Sequence, residues 1–351
     1  MGLDLGDQYS YYYTLDAAGE NVESGRVKTT REGLEKRFGG QEAVRVVIEA
    51  GTHSPWVSRV LGELGHEVIV ANPRKVRLIS ENVGKDDPVD AELLARLGRV
   101  DVKLLSPIQH RGAEAQADLA VIRARDALVA ARTQLVNHVR GAVKSVGSRL
   151  EKSSTRSFAD KMGDQVPEAL RAALEPVLEV IAEMTSQIGG YDQQIRQRCQ
   201  EKYPETALLT AVPGVGTLTA LGYVLTLEDP HRFAGSRAVG SFLGLRPGRD
   251  KSGQHDPELR ITKAGSPLLR RLLVGSAQYI LGPFGPDTDL RRWGLKLAGR
   301  GRKNAKKRAV VAVARKLAVL LHRLWVDGEV YQPLYQAQRG SAVTAGAGAP
   351  S

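Results

Sequence analysis

Gly2-Leu-Asp-Leu-Gly6, followed by Tyr9-Ser-Tyr-Tyr-Tyr-Thr-Leu15 and by residues 20–30, reads as three successive β-strands. Asp16-Ala-Ala-Gly19 supplies the turn between the second and third. Working outward, residues 45–50 form a short apolar strand, 54–64 a helix, 67–71 another strand and 88–97 another helix. A run of strands that passes into alternating helices and strands predicts an α/β domain over residues 1–106.

Three antiparallel strands followed by alternating helices and strands is the order of an RNase H-like domain. From residue 113 the pattern changes. Val121/Ile122, Leu128/Val129, Leu135/Val136 and Ala142/Val143 recur every seven residues, and Leu174, Val177, Ile181, Met184, Ile188, Tyr191 and Ile195 follow a 4-3 spacing. Both are narrow apolar seams of the coiled-coil type. Residues 107–203 are therefore expected to form a helical linker or oligomerisation region, either as a hairpin within one chain or as a pairing between chains, with the polar stretch 151–165 at its tip or hinge. Residues 204–339 read as a mainly helical third region, with a helix–turn–helix-like segment around Pro213-Gly-Val-Gly216 and a Gly-rich loop over 244–265. The tail, 340–351, is rich in Gly, Ala and Ser and is expected to be disordered.

The charge divides along the same lines. Fifty Lys and Arg against 39 Asp and Glu give a net charge of +11. Residues 1–106 hold 17 acids and 14 bases, net −3, so the rest of the chain carries +14. A basic back half suits a polyanionic partner. Between residues 291 and 326 stand twelve Lys and Arg and no acid, densest at Arg300-Gly-Arg-Lys-Asn-Ala-Lys-Lys-Arg308. Arg300, Arg302, Lys303, Lys306, Lys307 and Arg308 are candidate phosphate contacts, which give affinity and steep salt dependence but little sequence choice. Tyr11, Tyr12, Tyr13 and Trp56 could stack on bases, although their low number and strand alternation fit core packing at least as well. The Pro213-Gly-Val-Gly216 turn could hold a phosphate on its backbone N–H groups, or be a simple tight turn. A single cysteine, Cys199, excludes an internal disulfide or a cysteine-rich zinc site and fits a reducing cytosol. The most apolar stretch, 310–321, is broken by Arg315 and Lys316, so no membrane partner is expected.

Four carboxylates carry the chemistry. Asp4 lies in an apolar run, where a carboxylate is out of place unless it is paired or coordinates a metal. Glu49 closes Val46-Val-Ile48 at a strand's C-terminal edge, where α/β sheets place ligands. Asp87 and Asp90 stand three apart at a helix start and can chelate one cation together. Asp87 ahead of Pro88 also reads as an N-cap before a good first helical residue, and the two roles are compatible. Hard oxygen donors of this kind hold Mg²⁺, with Mn²⁺ as an alternative. Two such ions about 3.5–4 Å apart would neutralise a scissile phosphate and align the attacking and leaving oxygens.

Taken together, Gly2-Leu-Asp-Leu-Gly6, Ile48-Glu-Ala-Gly51 and Asp87-Pro-Val-Asp-Ala91 resemble the DEDD motif of a bacterial insertion-sequence transposase family related to the Piv invertases. Val212-Pro-Gly-Val-Gly216, Arg232-Phe233, Phe242-Leu-Gly-Leu-Arg-Pro247, Lys251-Ser-Gly253, Arg260-Ile-Thr-Lys-Ala-Gly265 and Leu268-Leu-Arg-Arg-Leu-Leu273 resemble successive blocks of that family's C-terminal transposase domain. Each block is weak alone, but their order is specific.

The resemblance implies a RuvC-like catalytic domain over 1–106 with Asp4, Glu49, Asp87 and Asp90 as metal-binding catalytic residues. It also implies a serine nucleophile in the C-terminal domain that forms a covalent phosphoserine link to DNA, and by position that serine is Ser252. Arg249 and Lys251 beside it could counter phosphate charge, and Lys263, Arg270 and Arg271 join the nucleic-acid candidates. Ser266 is the reserve nucleophile, although its place ahead of Pro267 is that of an N-cap. The partners so implied are donor and target DNA, an element-encoded bridge RNA, and further copies of the chain in a dimer or tetramer with active sites built from two protomers, all on the bacterial nucleoid. Two departures stand out: the lead-in before Asp4 is short, and Thr262 replaces the usual serine. A RuvC-like endonuclease that hydrolyses branched DNA would share the fold and need no serine. An actin-like or sugar-kinase ATPase would share the Gly2–Gly6 loop, but no second phosphate loop is recognisable. A catalytically dead binding protein is disfavoured by the intact tetrad.

Overall fold

Val46-Val-Ile48 is almost wholly buried, 0–1% exposed, because its strand lies inside a sheet covered on both faces, the setting in which parallel strands read as unbroken apolar runs. In the computed structural model of the protein, residues 1–74, 87–250, 252, 259–301 and 304–335 are described. The expectations for Lys251, Arg302, Lys303 and the 340–351 tail lie outside these residues. The chain divides into two units, Met1–Ala113 and Glu114–Ser351.

The first unit is built on β1 (Gly2–Asp4), β2 (Tyr9–Leu15), β3 (Asn21–Lys28), β4 (Arg45–Glu49) and β5 (Glu67–Ala71). They form one five-stranded sheet in the order β3-β2-β1-β4-β5. β1 pairs antiparallel with β2 and parallel with β4, β2 pairs antiparallel with β3, and β4 runs parallel with β5. The mixed topology agrees with the RNase H-like expectation. Successive side chains alternate between faces. Leu3, Val46, Ile48 and Val70 join a core with Leu34 and Phe38 of helix α1 (Arg31–Phe38) and Val57, Val60 and Leu61 of helix α2 (Ser54–Glu63). Val47 and Ala71 face the other way, onto Leu94 of helix α3 (Asp87–Val100) and Leu105.

Helix α1 was not foreseen. Thr30 starts it, its Oγ accepting from the Gly33 N–H at 3.1 Å. Gly2 lets α3 approach: a Cβ there would stand 2.0 Å from the Ala91 carbonyl oxygen and 2.5 Å from the Ala95 nitrogen.

The second unit opens with two long helices, α4 (Ala113–Ser145) and α6 (Glu168–Glu201). They lie antiparallel, since Asp118 meets Arg198, Arg125 meets Asp192 and Arg132 meets Thr185. The stretch 151–165 does lie between the two helices, and part of it folds into a small cap. Phe158 and Met162 of helix α5 (Phe158–Met162), with Val166, are buried among Val136, Val139, Val143, Leu174, Leu178 and Ile181.

Beyond follow α7 (Thr206–Thr210), α8 (Thr217–Leu227), α9 (Ser236–Phe242), α10 (Pro267–Leu281), α11 (Asp289–Ala298) and α12 (Ala305–Asp327). Every residue of α8 from Thr219 onward is buried, which makes it the axis of this helical body. Its Tyr223 hydroxyl donates to the Ala318 carbonyl of α12 at 2.6 Å, as a wholly buried phenol must find an acceptor. The long helices join the same unit because Leu119, Ile122, Ile195 and Cys199 pack with Leu221 and Leu225 of α8. Among the described residues no helix is long and apolar enough to cross a membrane.

Candidate active site

Pairing of Leu3 with Ile48 in the parallel β1–β4 ladder sets Asp4 and Glu49, one residue further on, at neighbouring strand ends. Both share the face of Gly2 and Val47, the face that α3 covers. Helix α3 runs back across that face: Ala91 and Ala95 lie on Gly2, Gly98 lies on Val47, and Arg99 donates to the Ala17 carbonyl in the β2–β3 turn at 2.8 Å. That turn stands at the edge where β1 begins, because Tyr13 pairs with Gly2. The first turn of α3, with Asp87 and Asp90, therefore stands at the edge where β1 and β4 end. All four sequence-selected carboxylates belong to one edge of one sheet.

Asp4 and Glu49 line a cleft of about 420 Å³ with Leu5, Asp7, Ala50, Gly51, Thr52 and His53. Asp4, Glu49 and Asp90 are half-buried, while Asp87 is exposed. The loop after Glu49 is fixed by Ser54, whose Oγ accepts from the Gly51 N–H and donates to the Gly51 carbonyl, each at 2.9 Å. The donor set is of the kind Mg²⁺ takes, carboxylate oxygens at an open sheet edge. Among the described residues, no three His, Cys, Asp or Glu side chains are already gathered closely enough to hold an ion.

Two cleft residues escaped the sequence reading. The Trp56 indole N–H, which can only donate, lies 3.2 Å from His53 Nδ1. In the neutral ring Nδ1 must therefore accept, and the proton sits on Nε2, 3.3 Å from Asp7 Oδ1. Asp7 follows β1 by three residues and His53 follows β4 by four, and position just past a strand's C-terminus was the signal available. Trp56 is half-buried and engaged with His53, and Tyr12 is buried edge-on against Phe38 at 5.8 Å, so neither stands as a free stacking platform.

In the second unit, Ser252 is exposed. The described residues on either side of it meet in a short ladder: Gly248 N–H donates to the Arg260 carbonyl at 2.9 Å, Thr262 N–H to Arg246 at 3.0 Å, and Lys263 N–H to Gly244 at 3.1 Å. Gly244 has φ +66, and a Cβ there would meet the Ala264 nitrogen at 2.1 Å, so the closure admits no side chain. Arg270 secures the same ladder by donating to the Leu243 and Ala264 carbonyls, which commits its guanidinium to the fold. Arg271 pairs with Asp126. Ser266 caps α10, its Oγ accepting from the Leu269 N–H at 3.3 Å, so its lone pairs are engaged as an N-cap's are. Arg249, Lys263, Arg300, Lys306, Lys307 and Arg308 are all exposed.

A mixed sheet with carboxylates at its strand ends, in a chain whose second unit is a basic helical body, is an arrangement that phosphodiester chemistry can use. Comparison with known proteins narrows the reading. Residues 1–147 match the model of DEDD transposases of the IS110 type, and residues 206–288 match that of the transposase IS116/IS110/IS902 family. The chain has the two-domain make-up of the IS110/IS116 transposases. It is 26% identical over 340 residues to the transposase for insertion sequence element IS1111A of Coxiella burnetii, covering 95% of this chain and 91% of that one. Over 341 residues it is 27% identical to the "Probable family 20 transposase" of Pseudomonas aeruginosa, at 95% and 98% coverage. To the transposase for insertion sequence element IS1328 of Yersinia enterocolitica it is 24% identical over 336 residues, at 94% and 98% coverage.

Proposed function

We propose that this transposase performs Mg²⁺-dependent DNA strand exchange through a covalent phosphoserine intermediate. The observation that carries the reading is the placement of Asp4, Glu49 and the α3 start, with Asp87 and Asp90, at one sheet edge. These four carboxylates would hold the cation, with Mn²⁺ able to substitute. When bound, the cation neutralises phosphate charge and favours the deprotonated attacking oxygen. Ser252 is the nucleophile. Its Oγ–phosphorus bond forms as the bond to a deoxyribose oxygen breaks; the serine proton goes to solvent and the leaving oxygen takes one up. Attack by a second strand's hydroxyl on the phosphoserine then reverses the change and restores the serine. One phosphodiester is consumed and one is made, so no external energy source is needed.

The acting form is a homo-oligomer, dimer or tetramer, and an element-encoded RNA chooses donor and target DNA. Both statements rest on the resemblance of the motifs. The reading is tested by incubating purified protein, its co-purifying RNA and DNA bearing the element ends with Mg²⁺ or with a chelator. Joined donor–target product that appears only with Mg²⁺, and disappears when the RNA is removed, supports the whole reading. Cleaved DNA that is never joined would favour a structure-specific nuclease instead, and full joining after complete RNA removal would sink the guided part.

A further inference from the structure

Of the five phenylalanines, Phe38 and Phe158 are fully buried and Phe233 and Phe242 pack against the helical core. Phe284 is 83% exposed, the most exposed large apolar side chain among the described residues. The turn that presents it, between α10 and α11, is held firmly. Arg291 donates through Nη1 to the carbonyls of Ile280 and Gly282. Gly282 and Gly285 N–H groups donate to Tyr279 and Gly282 at 3.1 and 3.3 Å. Thr288 caps α11 by accepting from the Arg291 N–H at 3.0 Å, and Arg292 grips Asp287 through two bonds of 2.9 and 2.5 Å. Pro283 and Pro286 stiffen the backbone on either side. The braced turn thus holds an aromatic ring out in solvent, where it is free to meet a partner.

We propose that Phe284 is a wedge that enters the base stack of bound DNA, a role that rests on the DNA-transacting reading above and extends it. Apolar side chains inserted between base steps unstack and kink a duplex. The neighbourhood fits this partner. The turn leads into the 291–326 segment with its twelve Lys and Arg and no acid, a source of phosphate contacts in the same stretch of chain. Asp287 is neutralised by Arg292 and does not repel the backbone. Tyr279, five residues before Phe284 and near the end of α10, is 47% exposed and offers a second ring. Pro283 and Pro286 flank Phe284 in sequence and are exposed, as are Gln278 and Asp287. So small an apolar tip seals a protein interface poorly, yet one ring fills the gap between two separated bases.

The test uses full-length protein with its co-purifying RNA in chelator, so that no strand chemistry occurs, and element-end DNA with one flexible TpA step whose adenine is replaced by 2-aminopurine. Unstacking raises the fluorescence of that base. Wild type is expected to raise it several-fold at saturation. Phe284→Ala should lose the rise and about tenfold in affinity, and Phe284→Leu should keep most of both. An undiminished rise in Phe284→Ala overturns the proposal. So does a wild-type complex that binds without any rise, which leaves the transposase reading standing; wild type that binds no DNA would sink both. Sedimentation of the same variants supplies the remaining arm: if Phe284→Ala dissociates an oligomer and leaves the fluorescence unchanged, the ring serves a second copy of the chain and the wedge is wrong.

Discussion

At the scale of single residues, His53 illustrates how neighbours set what a side chain can do. Trp56 holds Nδ1 as an acceptor, so the neutral ring presents its Nε2 proton to Asp7 at the mouth of the cleft. That arrangement orients Asp7 rather than supplying a base. His53→Ala is expected to lower the strand-exchange rate about 10–100-fold, the scale of losing one hydrogen bond to a charged group at the cleft. His53→Gln, whose amide can still donate to Asp7, should recover part of the rate, measured as initial joining rate under saturating Mg²⁺. Equal loss in both variants would mean the ring itself is required. Asp4 and Glu49 were legible in the sequence, since a carboxylate in or after an apolar run is costly there unless it is paired or binds a cation. Asp7 and His53 were not, because loop residues carry no periodicity and their place in the cleft depends on how the loops after β1 and β4 turn.

Among the elements, the long helices α4 and α6 depend on polar contacts as well as their seam. Asp118, 4% exposed, receives Arg198 Nε at 2.7 Å, the Tyr203 hydroxyl at 2.9 Å and Lys202 Nζ at 3.4 Å. Burial pushes its carboxyl up, but the bonds from Arg198, Tyr203 and Lys202 outweigh that and hold it below the usual range. A depressed native value adds stability that is complete above the unfolded value of about 4 and is lost as pH falls through the native one. Asp118→Asn is expected to cost about 1–3 kcal/mol at neutral pH and to flatten the loss of stability below about pH 4, both read from urea unfolding across pH. The heptads foretold two long helices, but the seam is not uniformly apolar. Leu128 and Val129 are only half-buried and Arg132 occupies a buried position. Helix α1 was missed for a related reason: Arg31-Glu-Gly-Leu-Glu-Lys-Arg-Phe38 offers only Leu34 and Phe38 as apolar residues, and Gly33 stands where a capping-box Glu would have marked its start.

For the whole molecule, the division of charge between a net acidic front and a basic back is the property that binding experiments can reach. Lys306, Lys307 and Arg308 stand exposed at the start of α12. Replacing all three by Ala should weaken binding to DNA of any sequence and reduce the slope of log affinity against log salt by about three. An unchanged slope would remove this cluster from the interface. The succession of strands and helices in the first unit and both family domains were legible from the chain, because strand alternation and ordered motif blocks are local signals. The folding of the long helices and the C-terminal helices into one unit was not, since it rests on contacts such as Ile122 and Ile195 with Leu221 and Leu225, far apart in sequence. The central claim is that a serine of this chain becomes joined to DNA. Protein incubated with Mg²⁺, its co-purifying RNA and element-end DNA, then run on a denaturing gel, is predicted to yield a covalent protein–DNA adduct that Ser252→Ala abolishes and Ser266→Ala preserves. Adduct that persists in Ser252→Ala, or joined DNA formed with no adduct at all, would contradict the account.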